Sequence, residues 1–466
     1  MNKNDIKKAN IIRRNNNIKN YKNKILNNTH NIWIPSNTNY FIKQNENTCF
    51  DIINNNNIPS CNLINKIYYH SNIKNFPVLN FKTDIPNNYN SYKTIKVEMK
   101  LTNLQKNIFQ RWFKASTLMY NETIKFIKNS FINDKNYKIN FRNIRTNNLY
   151  DIKQNIINNS LINNNIKTKI YSHVLDETIK LACSNYKSAL TNLKNKYIKY
   201  FRIRFWRFNR KNLVLDFEKD FIKNNKLCYN VFGNIIYKYN NKNFNLNNVN
   251  SHCKVHYNKE TNKYYLLICK LENYDNNINN LKETIVLDPG IRTFLTGLSN
   301  KTVTHIGYKM DKKIKKLHLN INNLNNINKI RKKKKKIKKI RRKIKNLINE
   351  MHNKTISYLT SNYKNILIGN MSSKSIVKKG NNINKLTKQI AMSYNFYVFK
   401  QKLLNKCIEK RNNYKEIDES YTSKMCSNCG TLNNKLKGSK IFSCNNCNLL
   451  IDRDVNGARG ILIKSL

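Results

Sequence analysis

Residues 421–458 read YTSKMCSNCGTLNNKLKGSKIFSCNNCNLLIDRDVNGA and hold two Cys-x2-Cys pairs with fourteen residues between them. Two such pairs supply the four thiolates of a tetrahedral Zn²⁺ site, and each tight turn presents both of its sulfur atoms. One pair alone could serve redox chemistry, but the second pair favours zinc. We therefore predict a zinc ribbon with one structural Zn²⁺, bound by Cys426, Cys429, Cys444 and Cys447.

Acidic residues are scarce in this chain, and two of them stand where a metal could bind. Asp288 directly follows the apolar run Thr284–Leu287, which is typical of a fully buried strand. Asp454 is the second Asp of the DRD sequence after the cysteine cluster, just before a helix that we expect to start near Val455. Either residue could instead shape a turn or cap a helix, as Asp commonly does.

The order of these motifs resembles that of one protein family. Along the chain come LDPG, a strongly basic helical hairpin, ILIGN, YTSKMCSNCG, the second Cys-x2-Cys pair and DRDVNGA. This order resembles the TnpB family of RNA-guided nucleases and its eukaryotic and viral relatives, the Fanzor proteins. The resemblance is dense over residues 281–466, weaker back to residue 93, and does not cover 1–92.

The resemblance implies a RuvC-like nuclease domain with an RNase H fold, in which three carboxylates hold two Mg²⁺ ions. Asp288 matches the first of these carboxylates and Asp454 the last. Paired cations suit phosphodiester hydrolysis, because one lowers the pKa of the attacking water and the other stabilises the leaving oxygen. The expected activity is therefore that of a metal-dependent endonuclease.

The middle carboxylate is where this sequence departs from the family pattern. Family members usually carry Glu at the end of the strand that reads ILI here, and this chain has Gly369. Either the nuclease is inactive, or another residue supplies the carboxylate. Fanzor-like members resemble the second case, with a Glu just before the Tyr-Thr-Ser-Lys motif, which corresponds to Glu419. On a strand at about 415–421, Glu419 would share a face with Ile417, and a carboxylate buried there needs a cation. The alternative is a solvent-facing edge strand.

The charge balance favours a polyanionic partner. Lys and Arg number 87 against 26 Asp and Glu, which gives a formal net charge of +61. A/T-rich codons can account for part of the Lys excess but not for the scarcity of acids, so nucleic acid is the first candidate. The sequence contains no glycine-rich nucleotide-binding motif, which argues against a nucleotide-driven motor.

Two basic segments are candidates for contact with nucleic acid. Residues 329–345 hold thirteen Lys or Arg and no acid, with Ile at helical spacing, which predicts a helix packed on one side and cationic on the other. A solvated helix face or a nuclear localisation run is the alternative. Residues 201–210 interleave Arg with aromatic residues, and we expect a strand at 201–205 that contacts phosphates and bases, or else an Arg-edged core strand. The candidate residues are Arg202, Arg204, Arg207, Arg210, Arg331, Lys332, Lys333, Lys334, Lys335, Lys336, Arg341 and Arg342.

The expected fold is α/β and multidomain, with an RNase H-like (RuvC) nuclease domain, an inserted zinc ribbon, a β-barrel-like wedge domain and a helical recognition domain. The wedge and recognition domains are implied by the resemblance. The expected segments are 1–92, Asn- and Lys-rich and largely disordered; 93–103, the first wedge strand; 104–196, the recognition domain; 197–280, the wedge domain; 281–424, the nuclease domain with a basic helical hairpin at 310–351; 425–450, the zinc ribbon; and 451–466, the last nuclease segment.

By resemblance, the chain is expected to be a transposon-derived, RNA-guided DNA endonuclease that acts as a monomer with a guide RNA and target DNA. The alternatives are an inactive RNA-guided DNA-binding protein and a transposition or recombination accessory protein that binds DNA without RNA. No run of 18 apolar residues occurs, so we expect no membrane span. Scattered cysteines and the lack of a secretory signal predict an intracellular protein, located in the nucleus if the host is eukaryotic.

Overall fold

The computed structural model describes residues 16, 64–69, 83–85, 92–161, 166–240, 242–246, 249, 251–271, 282–300, 302–325, 330–377, 383–434, 436 and 438–466. The chain divides into two compact units. We call Tyr92–Glu272 the central unit, and Met1–Ser91 with Asn273–Leu466 the C-terminal unit. The expectation that 1–92 is largely disordered falls mostly outside the described residues.

The described chain contains helices and strands that occur mostly in runs of one type. The strands are β1 (Ile64–Tyr69), β2 (Tyr92–Lys100), β3 (Asn212–Phe217), β4 (Ile222–Lys223), β5 (Lys226–Leu227), β6 (Ile236–Tyr239), β7 (Lys242–Asn243), β8 (Cys253–Asn258), β9 (Lys263–Leu271), β10 (Lys282–Pro289), β11 (Leu295–Ser299), β12 (Thr302–Ile306), β13 (Tyr363–Gly369), β14 (Asn413–Ile417), β15 (Ile441–Ser443) and β16 (Leu450–Asp452). The helices are α1 (Asn103–Asn133), α2 (Phe141–Asn143), α3 (Tyr150–Asn158), α4 (Ser172–Lys194), α5 (Tyr229–Phe232), α6 (Met310–Asn325), α7 (Ile330–Asn362), α8 (Ser373–Val377), α9 (Lys385–Tyr394), α10 (Phe396–Lys410) and α11 (Arg453–Ser465).

The C-terminal unit is built on a mixed sheet with the strand order β1-β12-β11-β10-β13-β14. Strands β10, β13 and β14 run parallel, and the other neighbours pair antiparallel. Strand β10 is buried on both faces: Ile285 and Leu287 join one apolar core and Val286 another. This is why its sequence is continuously apolar, as in other fully covered strands. Because parallel strands place their carboxyl ends at one edge, the residues after β10, β13 and β14 meet there.

Helices cover the two faces of this sheet. Helix α11 packs on β10 and β11. Helices α6 and α7 pack against each other and correspond to the predicted basic hairpin, although α7 continues to Asn362. Ile337 and Ile344 of α7 are buried, and Lys334–Lys336 are exposed. The predicted division of α7 into a packed side and a cationic side is therefore confirmed for these residues.

The central unit contains an antiparallel sheet of order β3-β8-β9-β2-β6-β7, with α1 packed against α4 and β3. Within this sheet β8 and β9 pair as an antiparallel hairpin. Trp112 of α1 is fully buried, and its Nε1 donates a hydrogen bond to the Thr168 carbonyl at 2.9 Å. Burial of large aromatic rings of this kind holds helices and sheet together.

Two strand predictions are wrong. Residues 201–205 have no regular structure, and the backbone N–H and C=O of the next residue, Trp206, bond the Asn121 side chain and not a neighbouring strand. The strand predicted at about 415–421 ends at Ile417, and the chain then turns through Tyr421, whose φ is +67°. The alternating-face argument for Glu419 therefore fails, and its environment has to be judged from the contacts of the turn.

Candidate functional site

Three of the predicted site residues line one cavity of about 740 Å³ in the C-terminal unit. Asp288 is the next-to-last residue of β10, Glu419 lies in the turn after β14, and Asp454 lies in the first turn of α11. Each is half-buried, as expected for side chains on the wall of an open cavity. Arg292, Lys315, Arg453 and Asp311 complete its charged lining.

The Asp288 carboxylate packs against the backbone of α11. A Cβ on Gly457 would lie 2.5 Å from Oδ2 of Asp288, so α11 can approach this closely because residue 457 has no side chain. Burial raises the pKa of Asp288 well above its usual range, and the charges of Asp454 and Glu419 raise that pKa further. Mutual repulsion of this kind indicates carboxylates that share one site.

Glu419 occupies the space next to Gly369. A Cβ on Gly369 would lie 2.7 Å from Oε2 of Glu419, so the Glu419 carboxylate stands where a side chain at 369 would begin. That Oε2 is buried and has no hydrogen-bond partner within the described part of the chain. Burial raises the pKa of Glu419 to about 7, against a smaller opposing effect of Lys400.

The DRD sequence divides into two roles. Oδ1 of Asp452 accepts hydrogen bonds from the backbone N–H groups of Asp454 (2.8 Å) and Val455 (3.2 Å), so Asp452 is the N-cap of α11. Asp454 instead lines the cavity. Burial raises the pKa of Asp454, and the neighbouring charge of Asp452 adds to the effect. The residue that caps α11 is thus Asp452, and Asp454 is not the N-cap.

The three carboxylates are not drawn together as tightly as the cysteines. In the described ranges, the potential metal ligands whose donor atoms all lie within 4.8 Å of one another are the four cysteines. Asp288, Glu419 and Asp454 share a cavity but do not form such a set. Two cations that lie about 3.5–4 Å apart are bound by oxygens spread over a larger distance than the oxygens around a single ion.

The cysteine cluster has the geometry of a four-ligand site. The Sγ atoms of Cys426 and Cys447 lie 3.6 Å apart, and those of Cys429 and Cys444 lie 3.4 Å apart. All four thiols are free of disulfide bonds. The sequence prediction that these residues come together is confirmed, and the set could hold one metal ion.

Asn456 links the cysteine cluster to the cavity, and the sequence analysis did not identify it. This side chain is fully buried; its Oδ1 accepts from the Ser427 N–H at 3.0 Å, and its Nδ2 donates to the carbonyls of Met425 (2.9 Å) and Thr422 (3.3 Å). Thr422 in turn donates its hydroxyl to the Glu419 carbonyl at 2.8 Å. The side-chain amide of Asn456 therefore links α11 to the first Cys-x2-Cys turn and to the turn that contains Glu419. The only sequence signal was its place two residues after Asp454.

The predicted nucleic-acid contacts lie in both units. Lys334, Lys335, Lys336, Arg341 and Arg342 are exposed on α7, Lys333 is half-buried, and the side chains of Arg331 and Lys332 lie outside the described set. Arg202, Arg204 and Arg207 are exposed in the central unit, whereas Arg210 is half-buried over the Trp206 ring. No helix in the described ranges is long and apolar enough to cross a membrane.

Comparison with known proteins agrees with the motif order. Residues 396–461 match a family model described as "Cas12f1-like, TNB domain". TnpB-like protein L79 of Acanthamoeba polyphaga mimivirus is 30% identical over 385 residues, covering 79% of this chain and 72% of that protein. The CRISPR-associated endodeoxyribonuclease Cas12f1 of Sulfoacidibacillus thermotolerans is 31% identical over 86 residues, covering 18% of this chain and 20% of that enzyme.

A solved structure also matches most of the chain. It is a cryo-EM structure of a Cas12f1-sgRNA-target DNA complex, at 16% identity, with a TM-score of 0.26 and coverage of 79% of this chain and 98% of that one. A TM-score this low does not establish a common fold.

Proposed function

This chain belongs to the TnpB-like family, and we propose that it is an RNA-guided DNA endonuclease of transposon origin. The observation that carries the proposal is the convergence of Asp288, Glu419 and Asp454 on one cavity, with the Glu419 carboxylate in the space beside Gly369. In this proposal the three residues form a catalytic set, in which Glu419 replaces the carboxylate missing from position 369.

The architecture supports this function at the level of domains. A mixed sheet whose parallel strands end at the carboxylates supports the RuvC-like, RNase H-fold assignment of 281–424 and 451–466. Two β-strands and two cysteine turns support a zinc ribbon at 425–450. The antiparallel sheet and long helices of the central unit support a wedge domain at 93–103 and 197–280 and a recognition domain at 104–196.

The cysteine cluster fits a structural Zn²⁺. Zn–S bonds of about 2.3 Å in a tetrahedron separate the sulfurs by about 3.8 Å. The Sγ–Sγ distances of 3.4 Å (Cys429–Cys444) and 3.6 Å (Cys426–Cys447) are close to that value, so small shifts would allow all four sulfurs to bind one Zn²⁺. Because all four positions would be filled by cysteine, this ion would hold the ribbon together and leave the chemistry to the carboxylates.

The carboxylate cavity fits Mg²⁺. Asp288, Glu419 and Asp454 offer oxygen donors, which Mg²⁺ prefers, and the buried Oε2 of Glu419 has no partner in the described part of the chain. Burial is the main cause of the raised pKa of all three carboxyls, and the charges of Asp454 and Glu419 raise the pKa of Asp288 further; a cation would stabilise this buried negative charge. When bound, two Mg²⁺ ions would activate the attacking water and stabilise the leaving oxygen. The protein's part is to hold the three carboxylates at fixed positions and to admit the phosphodiester to the cavity.

The partners that we propose are a guide RNA and target DNA. Base pairing to the guide would select the target sequence, and the protein would contact the nucleic-acid backbone. The exposed cations of α7 and of residues 202–207 suit that contact. A protein with a formal net charge of +61 has ample charge for a long polyanion.

A direct test begins with the nucleic acid that the protein carries. RNA that co-purifies with the wild-type chain is sequenced, and a plasmid bearing the matching target is incubated with the complex and Mg²⁺. We expect guide-dependent cleavage that Asp288→Asn abolishes. Asp311→Asn is the matched control, because Asp311 lines the same cavity from α6 and should leave cleavage intact. Cleavage without RNA would contradict the proposal.

The spacing of the carboxylates favours one alternative, an inactive RNA-guided DNA-binding protein. In the part of the chain that the structure describes, the carboxylate oxygens of these three residues do not all lie within 4.8 Å of one another. Position 369, where the family usually has Glu, is Gly and supplies no carboxylate. Guide-directed DNA binding with no cleavage under any divalent cation would establish this alternative.

A further inference from the structure

Residues 197–210 carry an unusual concentration of exposed aromatic side chains. The segment YIKYFRIRFWRFNR holds six aromatic residues, five Lys or Arg and no acid. The exposed fractions are 77% for Tyr197, 84% for Tyr200, 49% for Phe205 and 41% for Phe208. Clustered exposed rings are costly to leave in water and indicate a binding surface.

The segment contains no helix or strand, and contacts around Trp206 hold it in place. The Trp206 ring stacks on Tyr120 of α1 with a centroid distance of 3.7 Å and an interplanar angle of 4°, and the Arg210 guanidinium covers it at 3.5 Å. The Asn121 side chain accepts from the Trp206 N–H at 2.7 Å and donates to its carbonyl at 3.0 Å. Trp206 therefore anchors the segment to α1.

The rings on either side of the anchor remain available. Phe205 has the Lys128 ammonium over its ring at 4.5 Å and is still half exposed. Phe208 is exposed on the other side of Trp206 in sequence. Arg204 and Arg207 alternate with these rings and are exposed as well. Rings and cations thus recur at short intervals on a fixed loop, as in surfaces that stack bases and contact phosphates.

We propose that residues 197–210, here called the stacking segment, bind unpaired bases of single-stranded RNA, with Phe205 and Phe208 as stacking platforms and Arg204 and Arg207 as phosphate contacts. Aromatic stacking suits unpaired RNA, whose bases can be splayed out, and not the stacked interior of a duplex. The identification of that RNA as the guide rests on the proposed function; the binding itself does not.

The test measures binding of a uridine-rich single-stranded RNA that carries 2-aminopurine, using the full chain freed of co-purified RNA and without divalent cations. We expect Phe205→Leu/Phe208→Leu to weaken binding by about fivefold or more per ring and to reduce the change in 2-aminopurine fluorescence. The slope of log affinity against log salt should stay the same, because no charge is removed. Arg204→Gln/Arg207→Gln should instead reduce that slope by about 1.4.

Two controls separate stacking from loss of structure. Phe205→Tyr/Phe208→Tyr keeps both rings and should bind as the wild type does. Tyr150→Leu/Tyr229→Leu removes rings of 49% and 50% exposure elsewhere in the central unit and should have no effect. Equal affinities for wild type and Phe205→Leu/Phe208→Leu would overturn the proposal, as would tighter binding of the same sequence as DNA. Since no cleavage is measured, an inactive nuclease would leave this result unchanged.

Discussion

Gly369 offers a sharp perturbation, because a single added methyl group meets three neighbours. Its Cβ would lie 2.7 Å from Oε2 of Glu419, 2.9 Å from Cδ of Pro289 and 3.1 Å from Cδ1 of Ile461. Distances below 3.0 Å are not tolerated between a Cβ and a heavy atom, so Gly369→Ala must displace Glu419, Pro289 or both. Overpacking of this kind destabilises a fold by about 1–3 kcal/mol.

The catalytic effect of Gly369→Ala should exceed its effect on stability. A displacement of about 1 Å in a positioned catalytic group can lower the rate by about 10²-fold, and we expect a loss of that size in guide-directed cleavage with Mg²⁺. Urea denaturation measures the stability change separately. The matched control is Gly438→Ala: Gly438 lines the same cavity, but its Cβ would meet only Arg292 Nη2, at 3.8 Å. Cleavage by Gly369→Ala at the wild-type rate would refute this account of the site.

The exchange of the two residues tests whether the carboxylate has moved between positions. Gly369→Glu alone should reduce cleavage, since its side chain starts in the space that Glu419 fills. Glu419→Ala alone should abolish cleavage. The double variant Gly369→Glu/Glu419→Ala frees that space and should recover part of the activity. If Gly369→Glu alone activates an inactive wild type, the inactive-binder alternative is correct.

Three further predictions concern pH, the zinc ribbon and salt. Burial raises the pKa of Glu419 from about 4.5 to about 7, so the folded state binds this proton more tightly than the unfolded chain; without Mg²⁺, the stability that this group contributes should be fully present below about pH 4.5, and up to about 3 kcal/mol of it should be lost as the pH rises through 7. Urea denaturation from pH 5.5 to 8 should show this slope in wild type and a flatter one in Glu419→Gln; identical slopes would exclude Glu419 as its source. Asn456→Ala leaves buried backbone groups unpaired, so it should cost about 1–3 kcal/mol and speed zinc release to a chelator, whereas the exposed Asn353→Ala should do neither. Changing Lys333–Lys336 to Gln should lower the salt slope of nucleic-acid affinity by about 0.9 per lost phosphate contact, and an unchanged slope would make this run a solvated face.

Local sequence patterns were sufficient for part of this site. Thr284–Leu287 is apolar throughout because both faces of β10 are covered, and that pattern alone predicted a buried strand with Asp288 at its end. The Cys-x2-Cys spacing predicted the cysteine cluster for a similar reason, since the geometry of each pair is fixed by its own short turn. The buried strand and each cysteine turn depend on residues that are close together in the sequence, so a local pattern is enough to predict them.

Features that depend on distant contacts could not be predicted. The turn at Tyr421 ends β14 early, and the environment of Glu419 is set by the absence of a side chain at Gly369, fifty residues earlier. Asn121 and Tyr120 hold Trp206 across a gap of more than eighty residues, next to the segment in which a strand was expected. These are tertiary effects that override local alternation of residue types.

The central claim is that Asp288, Glu419 and Asp454 act as one unit, and the most direct test compares guide-directed cleavage by the three single Ala variants with that of the triple variant. Residues that act as a unit are non-additive, so each single change should cost nearly as much activity as the triple change, while guide and DNA binding stay intact. Normal cleavage by Glu419→Ala, with Mg²⁺ and guide present, would contradict the claim.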